Sequence, residues 1–177
     1  ESVDEINFKN HFEKRQKAEI KYFGAQKFPE ISLIKIERSE LNSQKTVDYV
    51  EKIKPDMTLI FGSGMIKKPL LSTLPKDTIN LHLGISPRYR GSATLFWPFY
   101  FMEPNYAGST FHHIISEPDA GEIIHQVLPY LEKTDGIHDV ACKTVIESAE
   151  AMIQLIDLYL TKGNWSRHSQ KGTGKNF

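Results

Sequence analysis

The spacing of apolar residues changes repeatedly along the chain, and each change marks an expected element. Within 7–24, Phe8, Phe12, Ala18 and Tyr22 stand among charged neighbours ahead of Gly24, which predicts an amphipathic helix with a glycine stop. ISLIKI (31–36) is a β-branched run and predicts a strand. Val47, Val50 and Ile53 then recur at helical spacing before Pro55, so a second helix ends there. MTLIFG (57–62) is apolar on both faces, as an interior parallel strand would be. Gly62, Ser63 and Gly64 turn the chain towards a short helix over 69–72.

TINLHL (78–83) predicts the next strand, and ATLFWPFYFM (93–102) a helix in which Pro98 occupies a first turn or makes a kink. AGSTFHHII (107–115) and GEIIHQVLPYL (121–131) are two further strands. Between 136 and 160, Val140, Val145, Ile146, Ala149, Ile153, Ile156 and Leu160 mark one core-facing helix, capped by Thr134 or Asp135. KGTGKNF (171–177) is glycine-rich and polar, and is expected to be extended or mobile. The expected organisation is one unit over 1–165 followed by a polar tail over 166–177.

Strand and helix alternate up to residue 83, the signature of an open α/β sheet flanked by helices. The two later strands lack an intervening helix, so the mostly parallel sheet becomes mixed. In such Rossmann-like sheets ligands bind outside the carboxyl ends of the strands. The length of 177 residues suits a single domain. Charge is balanced, 22 Lys and Arg against 22 Asp and Glu, so no global field recruits nucleic acid or a membrane. The single cysteine, Cys142, excludes an internal disulfide framework and suits a reducing, cytoplasmic setting. It falls within the last helical pattern and is expected to be a packing thiol. No apolar run reaches the roughly 20 residues that span a bilayer. The chain starts at Glu1 in a charged segment, which implies processing or a preceding part.

The residues that disturb the pattern lie in INLHLGISPRYRGSAT (79–94). Asn80 and His82 are two apart on a strand and share one face near its carboxyl end. A satisfied polar pair under a loop is the plain explanation. Asp119, between Pro118 and Gly121, is equally compatible with a simple Asx-type turn. Taken together the three residues suit acyl transfer without a covalent intermediate. Asn80 and a protonated His82 would donate to the oxygen of a tetrahedral carbon. Asp119 would orient the imidazole and accept a proton from an attacking amine. Ser86 precedes a proline and sits in no nucleophile elbow, so direct transfer is favoured.

NLHLGISPRYRGSAT, with GSTFHHI and PDAGEII behind it, resembles the folate-dependent formyltransferase family. The ordered pattern is N-x-H, a P-x-Y-R-G-like loop, a T-x-H strand and a D-x-G turn, over about residues 57–128. The resemblance implies a formyltransferase-type fold and a catalytic set of Asn80, His82 and Asp119. It implies that 10-formyltetrahydrofolate is the donor. The donor would be held by Gly64, Met65, Ile66 and Lys67 and by Ser116, Glu117 and Pro118. His112 falls at the T-x-H histidine and is expected to be structural support, while His113 points the other way. The family's usual first strand, glycine turn and helix are not evident ahead of 31–36.

Ser86, Pro87, Arg88, Tyr89, Arg90 and Gly91 would face the acceptor, since arginine forks suit phosphate. Within the family the SPRYRGSAT form followed by FWP is most similar to enzymes that formylate amino sugars on nucleotide carriers. The expected partner is therefore a small-molecule amine, with no nucleic acid and no membrane. The N-terminal helix or the final strands would be the pairing surfaces of a homodimer. Alternatives are hydrolysis of the same donor, a phosphoribosyl-glycinamide or methionyl-tRNA acceptor, and a non-catalytic folate- or nucleotide-binding relative. A metal site built from His82, His112, His113, His125 and Asp119 fits no recognised spacing, so no metal is expected.

Overall fold

The computed structural model of the chain describes every residue except Glu1, Ala25, Gln26, Phe28 and Thr173. Helix α1 (Val3–Phe23) begins upstream of the apolar pattern because Ser2 and Glu5 close a capping box. The Glu5 N–H donates to Ser2 Oγ at 3.2 Å, and the Ser2 N–H to Glu5 Oε2 at 2.7 Å. Gly24 ends the helix at a φ of 62°, as its position predicts. Of its residues only Ala18 is buried, and α1 lies against the last helix.

Residues 31–36 are not a strand: they run irregularly, with Ile31, Leu33 and Ile34 each more than half exposed. A β-branched run becomes a strand only beside a neighbour that pairs its backbone, and no described strand lies alongside. Helix α2 (Gln44–Ile53) then forms as expected, with Val47 buried and Lys54 left-handed just before Pro55. Strand β1 (Thr58–Phe61) is an edge strand and not an interior one. Leu59 and Phe61 on its outer face are 41% and 56% exposed for that reason. After a short helix α3 (Leu70–Thr73) comes β2 (Thr78–His82).

Two residues, Tyr89–Arg90, form β3, and Trp97–Tyr100 form α4, with Pro98 in its first turn. Strands β4 (Ser109–His113) and β5 (Ile123–Val127) complete a four-stranded sheet in the order β1-β2-β4-β5. β1 and β2 are parallel; β2 with β4 and β4 with β5 are antiparallel, so the sheet is mixed as the sequence predicts. Its core joins Ile79, Phe111, Ile124 and Val127 to Ala151, Leu155 and Trp165.

Helix α5 (Ile137–Lys162) covers the sheet. Its cap is Gly136, not Thr134 or Asp135, and the Gly136 N–H donates to Asp139 Oδ2 at 3.0 Å. The buried stripe also differs from the apolar one. Val140, Thr144, Ser148, Ala151 and Leu155 face inward, while Ile153 and Leu160 are 62% and 75% exposed. Thr144 and Ser148 are tolerated there because each hydroxyl donates to the carbonyl four residues back, at 2.8 and 2.6 Å.

The tail is not loose. His168 bridges to Ile123 through two backbone hydrogen bonds of 2.8 and 2.9 Å. Lys175–Asn176 form β6, which pairs in parallel with β3. Phe177 stacks on Trp97 with centroids 4.5 Å apart and planes inclined at 17°. Of the helix expected over 93–102 only α4 forms, and Tyr100 is 65% exposed and Phe101 39%.

Candidate active site

The register of β2 against β4 builds the centre. Asn80 lies opposite His112, and His82 opposite Thr110, so the polar face of β2 meets a second histidine across the ladder. Thr110 Oγ1 donates to the Gly84 carbonyl at 2.7 Å and accepts the Ser86 N–H at 3.0 Å, pinning the turn that leaves β2. His82 sits over Gly84, where an added Cβ would lie 2.5 Å from His82 Nε2 and 2.7 Å from Thr94 Cβ. Only a glycine leaves room for the ring.

Asp119 enters from the turn between β4 and β5 with a φ of 50°, a left-handed conformation that aspartate visits more readily than most residues. Gly121 in the same turn has no room for a Cβ, which would fall 1.7 Å from the His113 carbonyl oxygen. Asp119 Oδ2 accepts the Gly91 N–H at 2.9 Å and lies 3.4 Å from His82 Nδ1. Its Oδ1 is 3.3 Å from His112 Nε2. The structure thus brings Asn80, His82, His112 and Asp119 together. Burial opposes ionisation of Asp119. The His112 hydrogen bond, the His82 ring and the Gly91 N–H outweigh it and hold the carboxyl below its ordinary range.

His82 is buried, and burial lowers its pKa; the Asp119 carboxylate and the Tyr89 carbonyl oppose this without reversing it. Its Nε2 is 2.9 Å from the Tyr89 carbonyl oxygen. A carbonyl only accepts, so the neutral ring carries its proton on Nε2 and leaves Nδ1 bare towards Asp119. Both ring nitrogens thus face protein oxygens, Nε2 the Tyr89 carbonyl and Nδ1 the Asp119 carboxylate. His112 Nδ1 lies 2.9 Å from the His113 carbonyl oxygen, and its Nε2 is 3.3 Å from both Asn80 Nδ2 and Asp119 Oδ1.

These groups line a cavity of about 1080 Å³, large enough for two substrates side by side. Of the expected donor-binding residues, Gly64, Met65, Ile66, Glu117 and Pro118 line it; Lys67 and Ser116 do not. The Lys67 N–H instead donates to Asn42 Oδ1 at 2.7 Å. Among the loop residues only Gly91 reaches the cavity. Ser86 and Tyr89 are buried. Arg88 donates to Glu103 at 2.5 and 3.0 Å, and the Tyr89 hydroxyl to Glu103 at 2.6 Å. Arg90 donates to Gln170 at 2.5 and 3.0 Å, so both guanidiniums are paired within the protein and brace the loop.

The cavity is also lined by His11, Arg15 and Glu19 of α1 and by His138 and Cys142 of α5. The i, i+4 spacing on α1 was the available signal, hidden because the pattern there is mostly charged. Cys142 is buried, and burial raises its thiol pKa, in keeping with a packing role. Among the described residues no group of three or more His, Cys, Asp or Glu is placed to hold a metal ion. No described helix is long and apolar enough to cross a membrane.

Residues 5–156 match the protein family described as Formyl transferase. The chain is similar to the bifunctional polymyxin resistance protein ArnA of Wigglesworthia glossinidia brevipalpis. They are 32% identical over 96 residues, which is 54% of this chain and 14% of that protein. The chain spans well under half the length of the curated relatives it matches. The fold resembles a 4-N formyltransferase from Francisella tularensis, with a TM-score of 0.64 and 21% identity, over 78% of this chain and 59% of that one. It also resembles the formyltransferase PseJ from Anoxybacillus kamchatkensis, with a TM-score of 0.59 and 20% identity, over 77% of this chain and 81% of that one. The PseJ structure is a complex with UDP-4,6-dideoxy-4-formamido-L-AltNAc and tetrahydrofolate.

Proposed function

The chain belongs to the formyl transferase family, and on that premise we propose that it moves a formyl group from 10-formyltetrahydrofolate to a primary amine of a nucleotide-linked amino sugar. The observation that carries the reading is the convergence of Asn80, His82, His112 and Asp119 on one cavity wall. The donor suits the largely apolar space between the backbone of Gly64, Met65 and Ile66 and the turn holding Glu117 and Pro118. The sugar acceptor is supported by the ligands of the PseJ complex and by the exposed ring of Phe96, which lines the cavity.

As the amine nitrogen adds to the formyl carbon, negative charge builds on the formyl oxygen. Asn80, at the cavity wall, supplies an amide donor for it, of a kind typically worth several kcal/mol. The amine must lose a proton. Asp119 and the bare Nδ1 of His82 form a pair lacking one proton between them, and that pair takes it up. With the proton in place both His82 nitrogens face oxygen acceptors through hydrogen, so the ring is fully paired only at that stage. Breaking the carbon–nitrogen bond to the carrier returns the proton to the departing nitrogen. The catalytic unit in this reading takes in the tail as well, because Asn176 and Phe177 line the cavity.

Incubation with 10-formyltetrahydrofolate and a panel of nucleotide-linked amino sugars, followed by mass spectrometry, tests the reading. A formylated amine with one tetrahydrofolate released per transfer is the expected result. Free formate released without any amine would make the protein a hydrolase.

A further inference from the structure

Gln170 lies beyond the final helix, in the stretch expected to be a polar tail. Its side chain makes four hydrogen bonds. Oε1 accepts from Arg90 Nε at 3.0 Å and from the Arg90 terminal amino group at 2.5 Å. Nε2 donates to the Asp119 carbonyl at 2.8 Å and to the Gly121 carbonyl at 2.7 Å. An amide has one accepting and one donating end, so no other uncharged side chain of this length could serve both partners. Arg90 is 11% exposed at its side chain, and its fork fixes which end of the amide faces the turn.

The turn needs such support. Asp119 holds a left-handed backbone conformation that a residue with a Cβ keeps only where its surroundings over-determine it. Its side chain is anchored by the Gly91 N–H and by His112, but its backbone is anchored by Gln170. The backbone of Gly91, next to Arg90, binds the carboxylate while Arg90 itself binds Gln170. The loop therefore grips Asp119 at both ends. The geometry points to Gln170 as a positioning residue that, oriented by Arg90, holds the Asp119 carboxylate against His82. This assigns Arg90 to the construction of the centre and not to acceptor phosphate. The groups facing Asp119 are His82 on β2, His112 on β4 and the Gly91 N–H, with Glu117 in its own turn and Arg90 behind Gln170.

Gln170→Met keeps the volume and removes all four hydrogen bonds, and Gln170→Glu keeps the acceptor and removes both donors. Two measurements on the full chain decide the matter. The first is an NMR titration of the Asp119 carboxyl and the His82 ring, which needs no substrate. With the clamp broken, Asp119 titrates at higher pH and His82 at lower pH than in the wild type. The second rests on the transferase reading: kcat falls by about 10- to 100-fold while both KM values move less than about threefold. Arg90→Lys retains the charge but loses the fork, so it shifts both titrations in the same directions. The double variant Arg90→Lys/Gln170→Met is then no worse than Gln170→Met alone. Unchanged titrations in the Gln170 variants would overturn the inference. So would an Arg90→Lys variant that raises only the acceptor KM, the behaviour of a phosphate ligand. A wild type that formylates nothing refutes the transferase reading, and the titration still decides the clamp.

Discussion

His82 shows how little of a residue's role its type determines. The ring is buried between a carbonyl and a carboxylate, and its fit depends on the absence of a side chain at position 84. Gly84→Ala should therefore tilt or displace the ring, lowering turnover by about 100-fold while donor binding changes little. Steady-state kinetics beside a donor titration check this. Burial also makes His82 and His113 bind protons more weakly folded than unfolded. The unfolded chain then takes up more protons as pH falls below about 6.5, so acidification destabilises the fold, by up to about 1.4 kcal/mol per pH unit for each histidine. Asp119 is depressed instead, so its contribution is complete above its ordinary value of 3.8 and is lost only as pH falls further. Urea unfolding between about pH 6.5 and pH 5 should show the histidine slope, and His82→Gln should flatten it.

At the scale of elements, the α5 stripe makes the sharpest test. Ser109 and Ser148 are both fully buried, with their hydroxyls 2.7 Å apart across the β4–α5 contact. Ser148→Ala leaves the Ser109 hydroxyl short of its partner and should cost about 1–2 kcal/mol. Adding Ser109→Ala should cost little more, which urea unfolding of the single and double variants would reveal. The same contact explains what was legible in the sequence. Strands β2, β4 and β5 and helices α1, α2 and α5 follow from apolar spacing. The inward face of α5 does not, because Thr144 and Ser148 read as polar until their own helix satisfies them. Residues 31–36 failed for the opposite reason: their composition favours a strand, but strands need neighbours.

For the whole molecule, the site is assembled from segments far apart in the chain. Asn80 and His82 were visible as polar residues on an apolar strand, and Asp119 as a turn residue after proline. Nothing in the tail's composition pointed to Gln170, or to Phe177 closing the aromatic wall. Nor did two arginines beside the centre reveal that Glu103 and Gln170 had already claimed them. Side-chain type suggested a phosphate site, and tertiary pairing made a brace. The central claim is that the Asp119–His82 pair takes the proton during direct transfer to an amine. Amine-dependent release of tetrahydrofolate, followed for the wild type and Asp119→Asn at saturating donor, tests it most directly. The account predicts turnover for the wild type only when amine is present, and a loss of about 100-fold or more in the variant with donor affinity kept. Equal turnover in the two proteins would contradict it.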